Sequence, residues 1–95
     1  MKRINRWFVY IIRTACGKLY TGITTDIERR FQEHYDVYHR RSNKGAKFFR
    51  GHCPNEIVYT ETCESRSEAS KREYNIKSMT KLQKNRFINE VGGNI

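Results

Sequence analysis

The stretch VYIIRTACGKLYTG, residues 9–22, constrains this chain more than any other. Two runs rich in aromatic and β-branched residues, Trp7 to Arg13 and Leu19 to Ile23, flank Ala15-Cys16-Gly17, whose glycine suits a left-handed turn position. The pattern predicts a β-hairpin. Side chains alternate faces along a strand, so the register decides where Tyr10 and Tyr20 point. A three-residue loop pairs Tyr10 with Gly22 and Ile12 with Tyr20, which puts both hydroxyls on one face; a two-residue loop would separate them. The three-residue loop is the preferred reading. In that register Gly22, having no side chain, leaves one side of Tyr10 open to an approaching group.

The rest of the chain supplies one more strand and three helices. Thr25-Asp26-Ile27-Glu28 has the capping-box pattern and opens a helix to about Tyr35, with Ile27 and Phe31 as its buried stripe and Arg30 and His34 bordering it. Residues 36–54 lose periodicity and carry Arg40, Arg41, Lys44, Lys47 and Arg50, a basic surface loop anchored by a short helical turn at Phe48 and Phe49. Glu56 to Cys63 reads as a third strand. Ser65-Arg66-Ser67-Glu68 starts a helix through about Met79, and Thr80-Lys81-Leu82-Gln83 starts a last one that Gly92-Gly93 ends. Ala69 and Ile76 mark the inward stripe of the first of these, with the carboxylate of Glu73 between them. On the last, Leu82, Asn85 and Ile88 share a side, which turns Asn85 inward. Segregated strand and helix runs give an α+β fold, a small three-stranded antiparallel sheet flanked by helices.

Length and charge limit what such a fold can serve. Ninety-five residues suffice for one domain spanning 1–95. Nineteen Lys and Arg against ten Asp and Glu give a net charge of +9, which points to an anionic polymer or surface. No apolar run approaches the roughly 18 residues of a membrane span, so a cytoplasmic protein without a membrane partner is expected. Cys16, Cys53 and Cys63 are odd in number and lack C-x-x-C spacing, so they read as reduced thiols, with neither a disulfide framework nor a zinc site. His39 and His52 read as surface residues, and Trp7 and Phe8 as core or sheet edge.

Tyr10, Tyr20, Arg30, His34, Glu73 and Asn85 together resemble the site of the GIY-YIG endonuclease family. Val9-Tyr10-Ile11 stands in the place of the family's first motif and Tyr20-Thr21-Gly22 in that of its second. DIERR brings Arg30 on a helix, and KREYNIK brings the later glutamate, Glu73. The likeness spans about residues 7 to 90 and is greatest to standalone bacterial members similar to the nuclease domain of the excision-repair incision subunit UvrC. Val9 replaces the name-giving glycine, Thr21 the middle apolar residue of the second motif, and Ile23 a position where some members are polar or basic.

The resemblance implies a Mg²⁺ (or Mn²⁺) dependent DNA endonuclease of low sequence preference, acting on branched, flapped or damaged DNA in repair or recombination. Glu73 would be the single carboxylate on the metal, and Arg30 would hold the scissile phosphate. Tyr10 is the favoured general base, with Tyr20 orienting the water or phosphate; the two roles are exchangeable. A phenol with pKa near 10 must lose about three units, or ~4 kcal/mol, to ionise at neutral pH. His34 would relay the proton or assist the leaving group, and Asn85 would join the site. The basic loop would contact phosphates of DNA, with RNA the other nucleic-acid candidate. Taken alone, Arg30 and Glu73 read more readily as a structural ion pair between helices than as a catalytic pair. Two other classes stay open: a nucleic-acid-binding module of poor turnover, and a basic interaction protein docking RNA or an acidic partner.

Overall fold

A computed structural model describes residues 6–91. In chain order the elements are β1 (Trp7–Thr14), β2 (Leu19–Thr24), α1 (Ile27–Tyr38), a 3-10 turn (Lys47–Arg50), β3 (Pro54–Cys63), α2 (Arg66–Lys77) and α3 (Lys81–Val91). The strands form one antiparallel sheet in the order β2-β1-β3, so the hairpin strand bearing Tyr10 lies at its centre. The α+β architecture with a three-stranded antiparallel sheet is as expected from sequence.

The hairpin adopts the preferred register. Tyr10 pairs with Gly22 and Ile12 with Tyr20, and the loop closes with Thr14 N–H to the Lys18 carbonyl at 2.8 Å and Gly17 N–H to the Thr14 carbonyl at 3.0 Å. Gly17 takes φ +89°, a conformation that a side chain would strain. The tip is pinned to the chain before β3: Ala15 N–H donates to the Cys53 carbonyl at 2.9 Å, and Cys16 Sγ lies 3.7 Å from His52 Nδ1. Cys16, Cys53 and Cys63 are all free thiols. His52 is half-buried and stacked on Phe48, so it is more than a surface residue.

The two faces of β1 bury different residues. Val9 and Ile11 join Tyr59, Cys63, Ala69, Ile76 and Ile88 in an aliphatic core beneath α2 and α3. Tyr10 and Ile12 face the other way, against Val37 of α1 and Phe49 of the 3-10 turn, with Tyr20, Phe31 and Phe48 packed around them. A bulge between Ile11 and Ile12 passes over Val58 and leaves Ile57 opposite Ile12. On the aliphatic side Arg72 grips Glu61 with two hydrogen bonds of 2.7 and 3.0 Å, and Tyr59 Oη donates to the same carboxylate at 2.6 Å. This bidentate pair ties α2 to β3.

Several local expectations need correction. The residue that caps α1 is Asp26, whose carboxylate accepts from Arg29 N–H at 3.1 Å; Thr25 is displaced because a charged acceptor at the positive helix end is the better cap. The helix runs to Tyr38 instead of Tyr35, because Val37 completes its buried side, and its fully buried residues are His34 and Val37 while Ile27 and Phe31 are half-buried. The third strand begins at Pro54 rather than Glu56, and α2 stops at Lys77 with Ser78 as its C-cap. Leu82 is exposed, because α3 meets the sheet through Ile88 and Phe87 further along. The other caps stand as read: Ser65 Oγ accepts from Glu68 N–H, and Thr80 and Gln83 exchange reciprocal bonds of 2.9 and 3.1 Å. The expected Gly92-Gly93 stop lies outside the described residues.

Candidate active site

Tyr10 is almost completely enclosed, at 2% exposure. Its ring occupies the space above Gly22: a Cβ built there would lie 2.7 Å from Tyr10 Cζ and collide with the hydroxyl. Gly22 is therefore the seat of the phenol itself. The opening expected beside Tyr10 does not exist, because the ring folds across the paired strand and fills it.

His34 holds that phenol from α1. Ala46 N–H donates to His34 Nδ1 at 3.1 Å, so Nδ1 carries a lone pair and the neutral ring keeps its proton on Nε2. Nε2–H then donates to the Tyr10 oxygen at 2.8 Å. With that lone pair taken, Tyr10's own proton points away from the imidazole. The ring of His34 is fully buried and its pKa is lowered to about 4, first by burial and then by the nearby Arg30 guanidinium. A neutral, buried imidazole bonded in this way holds the phenol of Tyr10 in place.

Tyr20 completes an aromatic cluster, with its centroid 6.3 Å from Tyr10, 5.4 Å from His34 and 5.4 Å from Phe48, on which it stacks. Unlike Tyr10, it keeps partial exposure. Burial pushes both phenols up, Tyr10 further because Tyr20 adds to the effect. Arg30 opposes the rise at both hydroxyls, and at Tyr20 Lys77 opposes it more strongly. The negative charge of Glu73 also acts on both, so Arg30 and Glu73 bracket the pair of hydroxyls electrostatically.

Arg30 and Glu73 do not pair with each other. Arg30 Nη1 donates to Glu33 Oε1 at 2.7 Å and to the Lys44 carbonyl at 2.9 Å, which anchors one corner of the guanidinium, and the guanidinium also interacts with the Tyr10 hydroxyl. Glu73 accepts a 3.2 Å ion pair from Lys77, one helical turn on. Both charges come from different sides of the sheet: Arg30 from α1, Glu73 from α2, which lies mainly over edge strand β2 and central strand β1. The structural ion pair that α2 does make across the fold is the Arg72–Glu61 clip to β3.

Asn85 is half-buried on α3, the helix of the aliphatic face, and no hydrogen bond among the described residues joins it to the tyrosines, Arg30 or Glu73. Arg40, Arg41, Lys44, Lys47 and Arg50 are all exposed. Arg40 and Arg50 line a cavity of about 270 Å³ together with Ser42, Asn43 and Gly45. This loop is tied to α1 by the Lys44 carbonyl and the Ala46 N–H, so two of the site's hydrogen bonds come from its backbone. Sequence reading missed Ala46 because a main-chain N–H carries no residue signature. Lys77 was legible in principle, four positions after Glu73.

The GIY-YIG catalytic domain matches residues 6–86 of this sequence. The chain belongs to the GIY-YIG family. Among GIY-YIG relatives it is 48% identical over 87 residues to the UPF0213 protein YhbQ of Escherichia coli K12, covering 92% of this chain and 81% of that protein. It is 51% identical over 82 residues to the UPF0213 protein DP2720 of Desulfotalea psychrophila, covering 86% and 70% respectively. The solution NMR structure of the UPF0213 protein BH0048 from Bacillus halodurans superposes with a TM-score of 0.58 at 35% identity, over 94% of this chain and 88% of that one. Among the described residues, no helix is long and apolar enough to cross a membrane.

Proposed function

We propose that this protein is a Mg²⁺-dependent DNA endonuclease of low sequence preference, acting on branched, flapped or damaged DNA. The observation that carries the reading is the Ala46–His34–Tyr10 hydrogen-bond chain, which orients one phenol beside the partly exposed Tyr20 where Arg30 and Glu73 act on both. Phenols, a guanidinium and a carboxylate are groups for a phosphodiester backbone, not for base edges, hence the low sequence preference.

The donor set fits one hard divalent cation. Among the described residues no three or more His, Cys, Asp or Glu side chains gather into a protein-only metal site, and Mg²⁺ is commonly held by one or two carboxylates plus substrate phosphates. Glu73 supplies such a carboxylate. Bound there, Mg²⁺ would offset negative charge on the phosphate and ease ionisation of nearby oxygen acids.

Tyr20 is the general base in this reading, because it is the phenol that water can reach and the one whose ionisation Lys77 assists. It takes a proton from the attacking water, whose oxygen bonds to phosphorus as the P–O bond to one sugar breaks; the departing oxygen takes a proton from solvent. Arg30 holds the phosphate against its developing charge. Tyr10 remains protonated, its oxygen held by His34, and as a positioning residue it fixes the aromatic cluster in which Tyr20 works. The preference between the two phenols thus shifts from Tyr10 to Tyr20. Because a phenol raised above its ordinary value must ionise, the cleavage rate should climb about tenfold per pH unit through the neutral range.

The test is cleavage of labelled duplex, single-stranded, flapped and four-way DNA with Mg²⁺ or EDTA, beside Glu73→Ala and Tyr20→Phe. Metal-dependent cutting lost in both variants is expected. Wild-type protein that binds every DNA and cuts none would return the chain to a binding module.

A further inference from the structure

A second anion-binding groove adjoins the phenols. Lys18 and Leu19 at the start of β2, Phe48 of the 3-10 turn, and Lys81 and Lys84 of α3 line a cavity of about 250 Å³. Two distant parts of the chain, the hairpin loop and the start of α3, bring three lysines to this cavity, and none of them has an ion-pair partner among the described residues. Rigid elements carry them: Lys18 N–H donates to Thr14 Oγ1 at 2.9 Å in the hairpin loop, and the Thr80–Gln83 box fixes the start of α3.

Electrostatics within the protein disfavour this arrangement. Lys81 and Lys84 open α3, whose first turn holds no acidic residue, and cations at a helix N-terminus oppose the helix dipole. Three like charges facing one cavity repel each other as well. A polyanion relieves both effects. The groove is also continuous with the candidate active site: Leu19 precedes Tyr20 in β2, Phe48 stacks on Tyr20, and Lys77, which acts on the Tyr20 hydroxyl, lies one short turn before Lys81. Phe48 is already engaged by the rings of Tyr20 and His52, which makes it an apolar wall and not a platform for a base.

We propose that the Lys18–Lys81–Lys84 groove binds the phosphate backbone of the DNA strand that continues past the scissile phosphate. This deepens the nuclease reading and rests on it for the identity of the strand. The groove reads charge and strand path without reading bases, and it gives the site a direction along which a flap or branch arm extends. The basic loop at Arg40 and Arg50 then lies on a different part of the surface from the groove, so the strand is held on two fronts.

The test is the salt dependence of binding to a labelled DNA duplex and to its flapped counterpart, measured by fluorescence anisotropy with EDTA present so that turnover does not enter. Lys18→Gln/Lys84→Gln should lower the slope of log K against log[salt] by about 2, one unit for each phosphate no longer neutralised. Lys18→Arg/Lys84→Arg should keep the wild-type slope. Arg66→Gln/Lys71→Gln removes the same charge from the first half of α2, outside the groove lining, and should change the slope far less. Equal slopes in the two Gln variants, or weaker binding in the groove variant at unchanged slope, would overturn the groove. If wild-type protein cuts no DNA while the groove variant still loses its slope, the groove stands and the nuclease reading falls.

Discussion

The two faces of β1 divide the molecule's labour. Val9 and Ile11 bury into aliphatic side chains under α2 and α3, with an ion-pair clip at the margin. Tyr10, between them in sequence, enters an aromatic layer where hydrogen bonds to an imidazole and a main-chain N–H decide the geometry. Both faces are dense, yet only one is chemically tunable: an aliphatic contact has no proton to place, whereas every member of the Ala46–His34–Tyr10 chain does. Alternation along a single strand thus separates what stabilises the fold from what orients the reacting groups.

That separation can be broken most severely at Ile11. Ile11→Ala should cost about 2–5 kcal/mol in denaturant unfolding while leaving the cleavage rate per folded molecule near wild type, since Ile11 belongs to the core cluster on the face of β1 away from Tyr10 and Tyr20. Gly22→Ala tests the opposite face: its Cβ must displace the Tyr10 ring, which should cost about 1–3 kcal/mol and also remove activity, so fold and function should fall together. As pH falls from 6.5, acid should act first on the aromatic face, before the Arg72–Glu61 clip on the other face begins to protonate. His34 binds its proton near pH 4 when folded but near its ordinary 6.5 when unfolded, so the unfolded chain holds the extra proton between those values. Stability should be full above pH 6.5 and decline as pH falls toward 4, and His34→Gln should flatten that decline in denaturant titrations. The smallest effect on stability belongs to Tyr10→Phe, which strands the His34 Nε2–H and should cost about 1 kcal/mol. Its cleavage rate should drop while retaining the upward pH dependence, whereas Tyr20→Phe should lose that dependence; the reverse result would return the base role to Tyr10.

Much of this was legible in the chain itself. The hairpin register followed from Gly17 and the alternation around it, and the caps at Ser65 and Thr80 followed from side chains that bond their own helix. The gathering of the two tyrosines with Arg30 and Glu73 also followed from spacing, since all four side chains stand on regular elements. What stayed hidden depends on atoms that every residue shares. The tautomer of His34 is set by the main chain of Ala46 in a loop without periodicity, and the space over Gly22 is taken by a ring whose path no pattern of residues encodes. Lys18, Lys81 and Lys84 escaped notice for a different reason: Lys18 is far in sequence from the other two, and only the approach of the hairpin to the start of α3 makes it their neighbour.

The contact between the hairpin tip and His52 has a practical consequence. Hydrogen bonding to Thr14 and then to His52 lowers the pKa of Cys16 to about 7, while Cys63 is buried and Cys53 only half-exposed. Near neutral pH a large share of the Cys16 thiol is therefore the reactive thiolate. A single maleimide dye should label the natural sequence at that tip, and His52 connects it to the Phe48 wall of the lysine groove. The chain thus contains its own attachment point for an optical reporter of strand entry, placed where a shift of that wall would change the dye's surroundings.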